Sequence, residues 1–270
     1  MLVSIKDDFS LDKIARSGQC FRASIVEDKY RFITEENIIY IKHIKDDTFE
    51  ISCDNNTFNE IWQPYFDLNR NYRNIVNSIN DPFFEIAAKE GKGIRVLKQN
   101  AWEMVVSFII SQRKSIPAII KSVEALCKVY GKPIQTEYEL IYTFPTPEQL
   151  AIATPEGLKE CSLGYRVPYV IDAVEKVLTK EIDLNNIAKL DDVSMLTELK
   201  KVKGIGDKVA NCIMLFAYGR TASVPIDTWI QKIIEYKYNG ENPFLAYGNN
   251  AGIIQQYAFY YVQQNKIEFT

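Results

Sequence analysis

The sequence predicts an α+β protein, with an N-terminal antiparallel β-sheet domain followed by a mainly α-helical region. Three observations carry that reading. The first 55 residues hold short β-rich runs separated by polar pairs. From about Thr57 onward, apolar residues recur at helical spacing to the end of the chain. Strands and helices are segregated and do not alternate, which argues against a parallel α/β sheet. With 270 residues, 47% of them hydrophobic, and a net charge of −3, the chain can bury a real core and is not disordered.

The strands are Phe21-Arg22-Ala23-Ser24-Ile25, Tyr30-Arg31-Phe32-Ile33, Ile38 to Ile44 and Phe49-Glu50-Ile51-Ser52. Between them lie Glu27-Asp28, Glu35-Glu36 and Asp46-Asp47, pairs that suit hairpin turns, so the order predicts a meander. Downstream, Asn100 is placed to cap a helix whose first residues, Ala101 to Val106, are apolar nearly all round, as expected of a buried helix. Ser115 caps the next, with Pro117 in its first turn and Ile119, Ile120, Val123 and Leu126 on one face. Thr154-Pro155-Glu156 is another cap-and-proline start, and Arg166 to Lys180 is amphipathic. The expected division is residues 1–90, a sheet with flanking helices, and residues 91–270, a helical core.

Scarce residue types exclude several chemistries. His43 is the only histidine, which removes His-rich metal sites and histidine-based nucleophilic pairs. Cys20, Cys53, Cys127, Cys161 and Cys212 are scattered, with no CxxC, against a disulfide framework, a structural zinc or an iron–sulfur cluster. Lys, Asp, Glu and backbone groups remain. No apolar run reaches the roughly 18 residues that cross a bilayer, and the first residues lack the pattern of a signal peptide. An intracellular protein without membrane contact is expected, in the cytoplasm or nucleoid if the source is prokaryotic. Residues 1–90 carry 11 basic and 16 acidic side chains, residues 91–270 carry 21 and 19. Any nucleic-acid contact must therefore rest on a local patch rather than on overall charge.

The informative stretch runs from Leu196 to Cys212. A short helix ends near Lys201, the five residues Val202-Lys203-Gly204-Ile205-Gly206 form a hairpin, and a second helix runs to about Tyr218. Two glycines one residue apart permit positive φ and close approach of another chain. The following helix start offers unpaired N–H groups to a phosphate, with Lys200, Lys201 and Lys203 beside it. A helix–turn–helix corner with solvated lysines is the plainer alternative. Lys208, however, falls in the first turn of the second helix, where the dipole disfavours an ammonium and favours the neutral amine that a nucleophile needs. Nineteen residues on, Asp227 in Val224-Pro225-Ile226-Asp227-Thr228-Trp229 precedes a helical run. Its plain role is an N-cap, and a carboxylate pinned there can also stabilise nearby positive charge.

At this point the chain resembles the helix-hairpin-helix DNA glycosylases, and specifically the 8-oxoguanine DNA glycosylase family. The hairpin (about residues 195–218) with its lysine, and the downstream aspartate, match in order and spacing. So do Ser17-Gly18-Gln19-Cys20-Phe21-Arg22, the Leu97 to Ser111 segment, Leu163-Gly164-Tyr165-Arg166, and Gly252 to Phe259. The resemblance implies a helical glycosylase fold with a cleft between helical domains. It implies a bifunctional DNA glycosylase and lyase of base excision repair, with double-stranded DNA containing 8-oxoguanine as partner, no cofactor, no metal and a monomeric state. Lys208 would attack the sugar C1′ and form a Schiff base, and Asp227 would stabilise the charge that develops. The Gly18 carbonyl would accept the N7–H of 8-oxoguanine, Cys212 and Phe259 would sandwich the flipped base, and Gln255 would meet its Watson–Crick edge. Tyr165 would wedge into the duplex and Arg166 would read the orphaned cytosine. Lys203, Gly204, Gly206 and Val209 of the hairpin, with Arg113 and Lys114, complete the expected DNA contacts.

Each of these residues has a plainer reading: Phe259 in an aromatic core stripe, Cys212 as a buried apolar side chain, Gly18 as a turn glycine, Tyr165 as a helix-entry aromatic. The chain also departs from the family. Gln112-Arg113-Lys114 stands where better-known members carry asparagines, Ala118 replaces an arginine that reads the orphaned cytosine, and Trp229 replaces a histidine. Weaker discrimination of the opposite base is therefore expected. The alternatives are an alkylpurine-type monofunctional glycosylase, against which Lys208 argues, and a non-catalytic helix-hairpin-helix DNA-binding protein.

Overall fold

The computed structural model describes residues 1–267. Five strands form one sheet: β1 (Leu2–Ser4), β2 (Ser24–Val26), β3 (Lys29–Thr34), β4 (Asn37–Lys45) and β5 (Thr48–Ile51), in the order β1-β5-β4-β3-β2. The meander is as the sequence predicts. Its three polar pairs are the turns, and Glu27, Glu35 and Asp46 each take a left-handed backbone, with φ of 54°, 55° and 47°. Two details differ. The first strand of the meander begins at Ser24, because Phe21 and Arg22 are buried in bends rather than paired in the ladder. Leu2–Ser4 adds a fifth strand against β5, too short for alternation to reveal.

The α-helices of eight or more residues, among those described, are α1 (Pro82–Glu90), α2 (Ala101–Ser111), α3 (Ile116–Tyr130), α4 (Val167–Leu178), α5 (Asp192–Leu199), α6 (Asp207–Phe216), α7 (Thr228–Tyr238) and α8 (Ala251–Asn265). The stretch after Thr57 is not wholly helical. A small antiparallel hairpin, β6 (Pro133–Gln135) with β7 (Leu140–Tyr142), follows α3, where Gly131 and Pro133 stop the helix. None of the helices is long and apolar enough to cross a membrane.

The compact units do not follow the expected boundary at residue 90. One comprises residues 1–32, 39–98 and 219–270, the other residues 33–38 and 99–218. The C-terminal helices join the first unit for a packing reason. Residues 251–258 of α8 are buried on all sides, α8 packs on α1, and the Tyr238 hydroxyl donates to Asp81 at 2.9 Å. Within this unit the sheet residues Phe32, Ile39, Ile41, Phe49 and Ile51 pack with Trp62, Tyr65 and Phe66. Arg95, wholly buried, ties the unit by donating to Asp7 and to the carbonyls of Asp8, Phe66, Asp67 and Arg70.

In the second unit α2 is the helix that others pack on. Asn100 caps it by accepting from the Glu103 amide at 3.0 Å, and Trp102 to Ile110 are all buried. Helices α3, α4 and α6 lie against it. Ser115 stands at the N-cap of α3, yet its hydroxyl accepts no cap hydrogen bond; Pro117 occupies the first turn as expected.

Candidate active site

The hairpin joins α5 to α6 and is fastened from α4. Buried Val202 and Ile205 hold it to the unit, and the Asp172 carboxylate accepts from the Lys203 amide at 2.8 Å. Gly204 takes φ +82°, and a Cβ there would sit 2.4 Å from the Tyr169 ring, so both the backbone and the packing require glycine. Gly206 differs from expectation. Its φ of −97° suits any residue, and a Cβ built on it would meet no protein atom within 4 Å. The three lysines also differ from a free positive patch. Lys200 lies 2.6 Å from Asp207, Lys201 2.6 Å from Glu198, and Lys203 3.3 Å from Asp172, so each shares its charge with a carboxylate.

Lys208 is the second residue of α6 and is half-buried. Its Nζ lies 5.6 Å from the centre of the Phe108 ring, which is itself stacked on Phe216 with ring centres 5.6 Å apart. Four residues on, and so on the same helical face, comes buried Cys212. The Val209 side chain is buried, so what it presents to a partner is its first-turn amide.

Four further predicted residues, Gly18, Asp227, Gln255 and Phe259, belong to the first unit. Gly18 has φ +76° and lies between Ser17 and Gln19, both wholly buried. The Gln19 amide nitrogen donates to Ser17 Oγ at 2.7 Å and to the Arg95 carbonyl at 2.9 Å, and its oxygen accepts from the Leu97 amide at 2.7 Å. Gln256 of α8 donates to the Ser17 carbonyl at 2.5 Å. One residue away, Gln255 is 3% exposed and its Oε1 is buried with no hydrogen-bond partner. Phe259, one turn further, is only half-buried, unlike the residues of α8 before it, so the aromatic stripe is not uniformly core. Asp227 caps α7, with Oδ1 accepting from the amides of Trp229 at 3.0 Å and Ile230 at 2.9 Å. Sequence reasoning missed Gln19, Arg95, Gln256, Phe108 and Asp172. Gln19, Phe108 and Gln256 fall inside the matched segments, but most of the partners that define the roles of these five residues lie in distant elements, which no local pattern conveys.

The remaining predicted DNA contacts cluster in the second unit. Tyr165 is half-exposed, and its hydroxyl donates to the Gln112 carbonyl at 3.3 Å. Arg166 is 5% exposed; its Nε donates to the same carbonyl at 2.9 Å, one terminal nitrogen joins it there, and the other donates to the Leu163 carbonyl at 3.2 Å. Lys114 donates to Ser122 Oγ and to the Ser162 carbonyl, each at 2.5 Å. Burial, and then the charge of Arg166, holds the Lys114 ammonium below the usual lysine pKa. Arg113 is exposed, with φ +53°.

Residues 1–105 match the model of the 8-oxoguanine DNA glycosylase N-terminal domain, and residues 106–242 that of the HhH-GPD superfamily base excision DNA repair proteins. The chain is 32% identical to the Clostridium acetobutylicum 8-oxoguanine glycosylase/lyase, solved with duplex DNA containing cytosine opposite 8-oxoG; 99% of each chain is covered, with a TM-score of 0.91. It belongs to the 8-oxoguanine DNA glycosylase family. A second family structure, MBOgg1 in complex with a low-affinity DNA ligand, is 36% identical over 98% of this chain and 96% of that one, with a TM-score of 0.93. Among curated relatives, a probable N-glycosylase/DNA lyase of Methanothermobacter thermautotrophicus is 26% identical over 77% of this chain and 76% of its own.

Proposed function

We propose that this chain is a bifunctional 8-oxoguanine DNA glycosylase/lyase, acting as a monomer on duplex DNA and using Lys208 as its nucleophile. The observation that carries the proposal is a lysine at the second position of α6, directly after the hairpin, in a member of this family. The neutral amine of Lys208 donates its lone pair to C1′. The bond from C1′ to the base nitrogen breaks, its electron pair leaves with the base, and the base takes up a proton. Loss of the amine protons and opening of the sugar give an imine, and removal of a C2′ proton then expels the 3′ phosphate. The amine supplies the covalent chemistry, so the reaction calls for no cofactor.

Asp227 is the carboxylate proposed to stabilise positive charge on the sugar. Two amide hydrogen bonds fix it at the start of α7, so it needs no reorganisation as that charge forms. The target base must leave the stack before its edge can be read or its C1′ attacked. Gly18 is the proposed acceptor for N7–H, which 8-oxoguanine has and guanine lacks; leaving that contact unmet costs about 1–3 kcal/mol. The unpartnered Oε1 of Gln255 supports a role in meeting donors on the Watson–Crick edge. Cys212 and Phe259 would hold the faces of the base, Tyr165 would fill the vacated stack, and the amides from Gly206 to Val209 would meet a phosphate.

Borohydride trapping on a duplex with one 8-oxoguanine tests this reading. A covalent adduct is expected with the native protein and none with Lys208→Gln, whose excision rate should fall by at least about 10³-fold. Base release without an adduct would replace it with the water-attack, alkylpurine-type reading. Duplex binding with neither event would leave only a DNA-binding protein.

A further inference from the structure

The lysines in and around the hairpin are held in two ways. Lys200, Lys201 and Lys203 each lie on a carboxylate. Lys208 forms no ion pair or hydrogen bond among the described residues of its own unit, and its ammonium lies instead 5.6 Å from the centre of the Phe108 ring. That ring comes from α2, is buried, and stacks on buried Phe216 with the two planes only 15° apart. Phe216 follows Lys208 by eight residues, with Cys212 between them, so all three share one stripe of α6. Phe108 therefore packs on the stripe that carries the lysine, and one ring meets both its apolar end and its charged one.

We propose that Phe108, backed by Phe216, is a positioning residue for Lys208: its ring holds the ammonium in a fixed place in the DNA-free protein and lets the amine go once it has lost its proton. The proposal rests on the reading of Lys208 as the nucleophile. A lysine side chain turns about four carbon–carbon bonds, and an unrestrained one would present its nitrogen in many places. A half-buried carboxylate beside it would fix it, but would also favour the charged form, which cannot attack. An aromatic ring attracts the ammonium through its quadrupole alone and can take no proton from it. When the proton leaves, that attraction goes with it, and the neutral amine is free to reach C1′.

Isotope labelling of the lysine ε-methylenes reads the placement by NMR without substrate. The Lys208 signal, assigned by its absence in Lys208→Gln, should lie upfield of lysines that meet no ring, because the ring current shields groups above its face. Phe108→Leu is close in volume and has no ring. It should return the signal to the ordinary position and slow borohydride-trapped adduct formation in single turnover by roughly ten- to a hundredfold, with duplex affinity unchanged. Phe216→Leu removes only the backing, so it should keep part of the shift and slow the reaction less. A Phe108 that served packing alone would lower Tm when replaced and leave the lysine signal where it was. An ordinary Lys208 signal in the native protein, or a Phe108→Leu variant that reacts at the native rate, would overturn the proposal. If Phe108→Leu unfolds, the native signal and Phe216→Leu carry the test. A shifted signal in a native protein that forms no adduct would sink the functional reading and leave only the placement standing.

Discussion

Around Gly18 the neighbouring polar groups are buried and satisfied: Ser17 bonds Ile14 and Gln256, and Gln19 bonds Ser17, Arg95 and Leu97. Around Gly206 there is open space, and the neighbouring Lys200 lies on the exposed carboxylate of Asp207. Both places put a glycine backbone toward a proposed DNA contact, but they are built for different demands. Recognition of one N–H requires a carbonyl fixed to within tenths of an ångström, and a network that a ligand does not touch provides that rigidity. A phosphate is gripped by amides at a helix start whose geometry the helix itself sets, so the hairpin needs only clearance.

Substituting the two regions should separate these designs, and the largest effect is expected in the first. Gln19→Leu would leave the buried Leu97 amide and Arg95 carbonyl without partners, at a cost of about 3–5 kcal/mol. A large drop in Tm by calorimetry is expected, and discrimination of 8-oxoguanine from guanine should weaken in whatever remains folded. A Tm within 2–3 °C of the native value would show that the network around Gly18 is not what holds it.

The hairpin should split between its own two glycines. Gly204→Ala must place a Cβ in the left-handed region and against Tyr169, for a loss of about 2–4 kcal/mol. Gly206→Ala meets nothing in the protein and should change stability by no more than about 0.5 kcal/mol. Its effect should appear in duplex binding instead. Loss of one amide-to-phosphate contact, about 1.5 kcal/mol, corresponds to an increase in Kd on the order of tenfold. Equal effects of the two substitutions on unfolding would remove the distinction.

What could be read in advance follows the same division. The hairpin, Lys208 and Asp227 are local in sequence, and their caps and glycine spacing are visible without tertiary information. The meander was legible because its polar pairs fall between alternating runs. Lys201 and Glu198 stand at i,i+3 spacing, a local signal that the expectation of a free positive patch left out. What fixes Gly18 was not: Gln256 reaches Ser17 across 239 positions. The inward turn of Arg166 was equally hidden, because a motif match conveys a residue type and not what its side chain touches. The compact units differ from the division expected at residue 90 because the burial of α8 against α1 depends on three-dimensional packing.

The smallest effect expected is on the tie that gives the hairpin its position. Burial alone would raise the Asp172 pKa, but the amide and ammonium of Lys203, with the ammonium of Lys176, outweigh it, so the carboxyl titrates below its ordinary 3.8. A carboxylate favoured in the folded state contributes stability that is complete above the ordinary value and is lost as pH falls through the lower, folded one. Unfolding followed from pH 6 down to pH 2 should therefore show a decline below about pH 4 that Asp172→Asn reduces. The variant should be the less stable protein at pH 6, and the two curves should approach one another at the acid end. Lys203 is largely exposed, so solvent screens its share, and the difference should be smaller than that caused by Gly204→Ala. Parallel curves across the whole range would mean that the hairpin is held by Val202, Ile205 and the Tyr169 ring, with Asp172 adding nothing that titrates.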